Sequence, residues 1–261
     1  MSPMSPRTLR PRAGGFNPKS ISGLYVWYDA SDAATITMDT GVSVWADKSG
    51  NGRNATQSTG NNQPARTVTI NGLLALTFDG TNDSLNFAGE LRTDETMLVV
   101  ARQRDAAADE ANTSRYGTLL GSASTSRGHQ LRSQYANSPA NVLFDTVFNG
   151  FTVGTNRAAS TITGGRVGDT LGDVPLNVYT VVRSASTGML QFINNQAGGT
   201  ATQSEVQTLD RIGVGGTSNY WIGEICEILL YSRAITAAER TSATDYLIKK
   251  WGISAFTYSV L

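Results

Sequence analysis

The chain is poor in the residues that bind soft metals or form cross-links. Its 261 residues include one cysteine, Cys226, and one histidine, His129. A single cysteine excludes an internal disulfide, and this pair cannot form a zinc site, so a metal would need oxygen ligands. No stretch approaches the roughly 18 apolar residues of a membrane span, and the N-terminus lacks the apolar segment of a secretion signal. We expect no membrane insertion, no export by a signal peptide, and folding in the cytoplasm.

An excess of either charge is also lacking. Lysine and arginine together number 21, aspartate and glutamate together number 21, and the formal net charge is zero. A neutral chain has no overall attraction to a polyanion, so we predict no nucleic-acid partner. Any charged ligand must therefore be bound by a local group of residues.

The first twenty residues differ from the rest in proline content and in charge. They hold four of the seven prolines, and no acidic residue offsets their four cations, Arg7, Arg10, Arg12 and Lys19. Proline removes backbone donors, and the segment has almost nothing apolar to bury, so it cannot form a core. We predict an extended basic arm over residues 1–21 and a folded domain over residues 22–261. Such an arm is either a solvated tail or a docking segment for assembly, and we predict docking.

The rest of the chain has the composition of many short strands. Glycine is abundant, with 27 residues, and together with Asn, Asp and Ser it separates runs rich in β-branched and aromatic residues. Two alternating runs flank residues 184–188, which predicts a hairpin with glycine in its loop. Strands that pair in sequence order favour an antiparallel sheet. We therefore predict an all-β sandwich, with residues 105–114 as a long exposed loop.

One helix is predicted near the C-terminus. Thr236 and Glu239 have the spacing of a capping box, Lys249 and Lys250 lie at the negative end of the helix dipole, and Gly252 is placed to end the helix. Its apolar face should pack on the sandwich and consists of Ala243, Tyr246, Leu247 and Trp251.

Three motifs resemble those of a known family: W-x-D-x-SGNG-x-N, then F-DG-x-N-D, then G-x-I-x-E followed by Y-x-R-A. The matching residues are Trp45, Asp47, 49–52, Asn54, 78–80, Asn82, Asp83, Gly223, Ile225, Glu227, Tyr231, Arg233 and Ala234. Over residues 22–252 the chain resembles the laminin-G-like, concanavalin A-like jelly rolls. The resemblance implies a two-sheet antiparallel jelly-roll sandwich with one C-terminal helix.

Lectins, adhesion modules, enzyme appendages and virion parts all have this fold, so the fold alone excludes few functions. The opening motifs resemble those of structural proteins of tailed phages. This implies a non-catalytic virion protein, a capsid decoration or a tail or fibre appendage, which assembles in the host cytoplasm. Its arm would contact other virion proteins or its own subunits, and its jelly roll would bind a host-surface glycan. The alternative is a carbohydrate-binding, lectin-like module of a bacterial or environmental protein.

The residues argue against catalysis. Uninterrupted alternation places Glu224 and Cys226 on one face of their strand and Glu227 on the other, so the paired carboxylates of a retaining glycosidase are absent. We interpret Glu227 as part of a buried polar network and Glu224 as an ordinary surface residue. No nucleophile elbow is present, His129 is interpreted as a polar residue at a strand edge, and Cys226 as a small hydrophobe. We predict no catalytic residues.

A sugar-binding platform is predicted where a loop meets a strand. Asn219, Tyr220 and Trp221 offer an amide beside two aromatic rings, and sugar rings stack on such surfaces. The alternative is that Trp221 packs in the core, as a tryptophan entering a strand usually does.

The loop "DKSGNG" that follows Trp45 has the spacing of a calcium loop. Its Asp, Ser and Asn occupy positions 1, 3 and 5, and a glycine occupies position 6, but no acidic residue follows at position 12. The loop alone would bind calcium weakly, and the segment "FDGTNDS" would have to add carboxylates. The candidate ligands are Asp47, Asn51, Asp79 and Asp83.

The stronger interpretation of this loop is a tight turn. Asp47 and Asn51 would bond to the backbone of their own loop, and Gly50 and Gly52 would supply positive φ angles. We expect no other cofactor.

Overall fold

The fold is described from a computed structural model, which describes residues 15–104, 116–123, 128–133, 141–147, 157–163, 166–167, 170–171, 174–202, 206–216 and 219–254. The predicted loop at residues 105–114 and the predicted arm residues Arg7, Arg10 and Arg12 lie outside these ranges. Within them the predicted fold is confirmed, because antiparallel strands form two large sheets and the chain ends in one α-helix.

Strands make up most of the described chain. In chain order they are β1 (Leu24–Asp29), β2 (Ile36–Met38), β3 (Val42–Trp45), β4 (Ala55–Thr56), β5 (Ala65–Ile70), β6 (Leu73–Asp79), β7 (Leu85–Asn86), β8 (Leu91–Arg92), β9 (Glu95–Gln103), β10 (Tyr116–Gly121), β11 (Gly128–Ser133), β12 (Asn141–Val147), β13 (Arg157–Thr163), β14 (Arg166–Val167), β15 (Thr170–Leu171), β16 (Asn177–Ser184), β17 (Gly188–Ile193), β18 (Gln196–Ala201), β19 (Gln207–Thr208), β20 (Arg211–Ile212), β21 (Val214–Gly215), β22 (Asn219–Tyr220) and β23 (Ile222–Tyr231). The helix is α1 (Ala237–Trp251), and short 3-10 turns occupy Pro18–Ser20, Ala33–Thr35 and Gly60–Asn62.

The two large sheets pack face to face as a jelly-roll sandwich. Among the described residues, one sheet has the order β18-β17-β16-β9-β23-β6-β5, with β1 also paired to β23, and the other has the order β13-β12-β11-β10-β20-β7-β4-β3-β2. Two-residue strands form three further ladders, β8 with β19, β14 with β15 and β21 with β22. The last strand, β23, lies inside the first sheet between β9 and β6, which are distant from it in sequence.

The first sheet buries both of its faces. Along β9, Met97 and Val99 point into the core between the sheets, whereas Leu98 and Val100 belong to a second apolar cluster that includes α1. A strand that is buried on both sides has few polar residues, and β9 accordingly contains the nearly continuous apolar sequence "TMLVV". The predicted hairpin between β16 and β17 is also confirmed, and Gly188 has a φ of 77° in its turn.

The helix lies on the outer face of the first sheet. Its predicted capping box between Thr236 and Glu239 is present, and Gly252 ends it with a φ of 63°. On the predicted face, Ala243, Leu247 and Trp251 are buried and Tyr246 is half-buried. Among the described helical residues, no helix is long and apolar enough to cross a membrane.

The domain begins before residue 22, which corrects the predicted boundary of the arm. Pro18 and Ile21 are buried, and the ring centroid of Phe16 lies 5.5 Å from that of Tyr246 on α1. The Tyr231 hydroxyl also donates a hydrogen bond of 3.3 Å to the Pro18 carbonyl oxygen. Residues 16–21 thus pack on their own domain, and of the predicted arm cations in the described chain, Lys19 is exposed.

Candidate binding site around Tyr25

The loop after Trp45 is a structural connection fastened to β1. Asp47 accepts hydrogen bonds at Oδ1 from the backbone N–H of Trp27 (3.0 Å) and Ser49 (2.8 Å). At Oδ2 it accepts from the Ser49 hydroxyl (2.7 Å) and the Arg53 backbone N–H (3.2 Å). Both carboxylate oxygens already have protein donors, so the carboxylate acts as the organising centre of the turn.

The interpretation of this loop as a turn is confirmed, with one difference. Gly50 and Gly52 have φ angles of 100° and 71°, as expected. The side-chain amide of Asn51, however, donates to the carbonyl oxygens of Leu24 (2.9 Å) and Tyr25 (3.0 Å) rather than to its own loop. The loop is therefore held against the first residues of β1.

The second group of predicted calcium ligands forms a turn of its own. Asp79 Oδ1 accepts from the backbone N–H of Thr81 (2.8 Å) and Asn82 (3.1 Å), and Asp83 Oδ2 accepts from the backbone N–H of Asp79 (3.0 Å). No group of three or more His, Cys, Asp or Glu residues suited to a metal occurs in the described part of the chain.

The fixed loop places Arg53 against Tyr25. The Tyr25 hydroxyl donates to the Ala88 carbonyl oxygen at 2.6 Å, which holds the ring in place. The guanidinium carbon of Arg53 lies 3.9 Å from the ring centroid, and that of Arg92 lies 3.6 Å from it. Both guanidinium groups are within range of a cation–π contact with the Tyr25 ring.

A carboxylate joins the two arginines. Glu90 accepts a hydrogen bond from Arg53 at one oxygen and from Arg92 at the other, the latter at 2.6 Å. The hydrogen bond from Arg53 is the main reason that the pKa of Glu90 lies below its ordinary value. The Glu90 side chain is 53% exposed, so this group, which we call the Tyr25 cluster (Tyr25, Arg53, Glu90 and Arg92), reaches the protein surface.

An apolar surface lies next to the Tyr25 cluster on the ladder of β8 with β19. Leu91 is 69% exposed and Val206 is 55% exposed. Leu91 pairs with Thr208, and Val206 lies two residues before Thr208, so both side chains emerge on one side of the ladder. With Met38, they are the exposed large hydrophobic residues of the described chain.

The other side of this ladder carries a buried amide. Gln207 pairs with Arg92, so their side chains lie on the same side. Gln207 is 8% exposed, and among the described residues neither its Oε1 nor its Nε2 has a hydrogen-bond partner. Sequence reasoning missed Tyr25, Glu90, Leu91 and Gln207, because no local motif marks residues that meet only in the folded chain.

The sugar-binding platform predicted at residues 219–221 is not formed as expected. Trp221 is 0% exposed and belongs to the core between the sheets, and Asn219 and Tyr220 are half-buried. A Cβ at Gly117 would lie 3.0 Å from Cε3 of the Trp221 indole, so that glycine makes room for the ring. Trp221 is therefore a core residue, and no sugar ring can stack on it.

Glu227 occupies the buried polar network that the sequence predicts. It is 0% exposed. One oxygen accepts from Trp27 Nε1 (2.8 Å) and the Tyr246 hydroxyl (2.8 Å), and the other accepts from Lys250 Nζ (2.7 Å) and Trp251 Nε1 (2.8 Å). Burial, followed by the charge of Asp29, raises the pKa of Glu227 above its ordinary value.

The predicted facing of the strand around Glu227 is wrong because the strand contains a β-bulge. The pairing of β23 with β9 shifts register between Ile225 and Glu227, which places Cys226 and Glu227 on the same side, toward α1. Glu224 is also buried rather than ordinary, and it pairs with Arg102 at 2.8 Å and Arg104 at 2.6 Å. Each carboxylate is neutralised by its own cations.

His129 lies in the interior rather than at a strand edge, which corrects the prediction. It is fully buried on β11, between β10 and β12, and its Nδ1 lies 3.2 Å from the Thr146 hydroxyl. Its Nε2 lies 3.8 Å from Glu95, which pairs with Arg183 at 2.5 Å. Burial lowers the pKa of His129, so the ring is neutral near pH 7.

Comparisons with known proteins identify the fold and leave the family open. No protein-family model matches the sequence, and no curated protein sequence matches it significantly. The binding domain of Paraclostridial Mosquitocidal Protein 1 is similar, with a TM-score of 0.61 and 11% identity over 91% of this chain and 56% of that one. The botulinum neurotoxin serotype D binding domain gives a TM-score of 0.54 and 12% identity, over 88% and 55%.

A third similar structure is Trypanosoma rangeli sialidase in complex with sialic acid. Its TM-score is 0.54 and its identity is 13%, over 88% of this chain and 33% of that one. The chain thus spans about half the length of the two binding domains and about a third of the sialidase. It is a β-sandwich domain with the fold that these proteins contain, and the jelly roll implied by the resemblance is confirmed. The likeness to phage structural proteins stays a prediction.

Removal of Glu227 should destabilise the fold. We expect Glu227→Ala to lower the free energy of unfolding by about 3–5 kcal/mol, because Lys250 and two indole donors lose their shared buried acceptor. Urea unfolding measures this loss, and Lys249→Ala, an exposed position of the same helix, is the control. A loss below about 1 kcal/mol would contradict the network's role.

Removal of the Asp83 charge should stabilise the protein at neutral pH. Burial first, and the charge of Asp79 second, raise the pKa of Asp83 to about 6, against 3.8 for a free side chain. The folded state holds this proton more tightly than the unfolded chain, so the contribution is present at low pH and is lost as the pH rises through about 6.

Asp83→Asn should therefore raise the free energy of unfolding at pH 7. The full shift corresponds to ~3 kcal/mol, and solvent screening reduces the expected gain to about 1 kcal/mol. Urea titrations at several pH values should show this gain vanishing near pH 4, with the exposed Asp245→Asn as control. A gain that does not change with pH would show that the charge is not its cause.

Proposed function

We propose that this chain is a non-catalytic, carbohydrate-binding β-sandwich module. The observation that carries the proposal is the exposed apolar pair of Leu91 and Val206 on the ladder that also carries Arg92 of the Tyr25 cluster. Saccharides present apolar C–H faces beside polar groups, and binding sites match them with apolar side chains and a few fixed polar groups. This part of the surface combines both.

The similar solved structures support a binding role. Two of the three are described as binding domains, and the third is a sialidase in complex with sialic acid. These likenesses concern the fold, so the position of the site rests on the residues of this chain. Glu224 and Glu227 do not support a catalytic role, because both are buried and paired with cations.

The apolar pair offers a direct test of the site. We expect Leu91→Ala and Val206→Ala each to weaken retention on immobilised saccharides roughly fivefold, because each removes apolar area that a sugar face would cover. Met38→Ala is a matched control, since Met38 is the other exposed large hydrophobic residue and lies on β2. Affinity chromatography on a broad set of glycans measures the effect. Equal losses in all three variants would contradict the site.

The location of the protein is a separate proposal that rests on the sequence resemblance. We propose that it is a structural or adhesion component of a tailed-phage particle, anchored by its basic N-terminal segment to other virion proteins or to its own subunits. Because residues 16–21 pack on the domain, the informative deletion removes residues 1–14 and leaves these packed residues in place. Full-length protein should co-purify with particles and the deletion variant should not. Equal incorporation of both would contradict anchoring.

A further inference from the structure

We propose that the Tyr25 cluster recognises the carboxylate of an acidic saccharide, and that Glu90 occupies the carboxylate position while no ligand is bound. This inference rests on the proposed carbohydrate-binding function and adds the class of ligand. It also assigns Glu90 the role of an internal competitor.

The two guanidinium groups are held in place before any ligand arrives. Arg53 and Arg92 both stack on Tyr25, whose hydroxyl is bonded to the Ala88 carbonyl oxygen. The backbone of Arg53 is fixed as well, because its N–H donates to Asp47. Arginine residues ordered in this way lose little conformational entropy on binding, and their planar donors match a carboxylate.

Glu90 already makes the contacts that an external carboxylate would make. One of its oxygens accepts from Arg53 and the other from Arg92. Its side chain is 53% exposed, so the position it fills is open to solvent. The Arg53 and Arg92 side chains are 24% and 10% exposed, and a ligand carboxylate in place of Glu90 would leave both of them paired.

Exchange requires the Glu90 side chain to rotate while the backbone stays in place. The preceding residue, Gly89, packs tightly against another segment of the same chain, since a Cβ there would lie 2.3 Å from the Leu209 carbonyl oxygen. The backbone on this side of Glu90 is therefore confined. Rotation of an exposed glutamate about its χ angles is fast and needs no refolding.

The charge balance favours an anion. Two guanidinium cations face one carboxylate, so the cluster keeps a net positive charge with Glu90 in place and gains a further unit when Glu90 rotates away. Leu91, which is 69% exposed, lies between Glu90 and Arg92 in the chain, so an exposed apolar side chain stands beside the cluster. A carboxylate position with an apolar side chain beside it fits an acidic sugar.

The test uses arrays of uronic-acid and sialic-acid oligosaccharides beside their carboxyl-reduced, neutral counterparts, with polyglutamate as an acidic peptide. We expect the full chain to bind at least one acidic oligosaccharide roughly tenfold more tightly than its neutral counterpart. Glu90→Gln should strengthen acidic binding severalfold and leave neutral binding unchanged, because it removes the competitor. Arg92→Gln and Arg53→Gln should each weaken acidic binding roughly tenfold.

The controls separate the cluster from general charge effects and from misfolding. Asp245→Asn and Lys249→Gln change exposed charges on α1 and should alter binding by less than twofold. Thermal unfolding identifies any variant that fails to fold, and Glu90→Gln, at an exposed position, tests the inference even if an arginine variant does not fold.

The outcomes distinguish this inference from the function on which it rests. Equal binding of acidic and neutral sugars, unchanged in Glu90→Gln, would overturn the acidic ligand and leave the carbohydrate-binding module standing. Binding of polyglutamate without any saccharide, or no binding at all, would overturn both. Preference for an acidic sugar together with tighter binding by Glu90→Gln would support both.

Discussion

One buried carboxylate fixes the relative position of three elements. Glu227 on β23 accepts hydrogen bonds from Trp27 on β1 and from Tyr246, Lys250 and Trp251 on α1. A buried charge must keep its partners, so β1 and the helix are held against the central strand of the first sheet. The same strand β1 is held from its other side, because the Trp27 backbone N–H donates to Asp47.

The proposed binding surface depends on this double attachment of β1. Tyr25 lies two residues before Trp27, and the loop bonded to β1 delivers Arg53 to one face of its ring. Arg92, from a part of the chain far away in sequence, contacts the same ring. Cations that are held rigidly at a surface lose little conformational entropy when they bind a ligand.

Short sequence patterns predicted the helix caps and turns correctly, because each of these depends on the chemistry of one or two neighbouring residues. The capping box of Thr236 and Glu239, the glycines of the Asp47 loop and the hairpin at Gly188 are all present. Predictions of the side of a strand on which a side chain lies were less successful. Strict alternation assigned Glu227 to the wrong side, because a bulge adds one residue to β23, and Trp221 proved to be core because the glycine at position 117 makes room for its ring.

The sequence by itself determined the all-β class, the helix with its caps, the tight turn after Trp45 and the buried environment of Glu227. These follow from alternation, turn chemistry and the cost of burying polar groups, which act over a few residues or on one side chain. Only the tertiary structure decided which distant residues meet. Tyr25, Arg53 and Arg92 form one cluster because strand pairing and the attachment of the Asp47 loop bring three separate segments together. No sequence spacing predicts that these three residues come together.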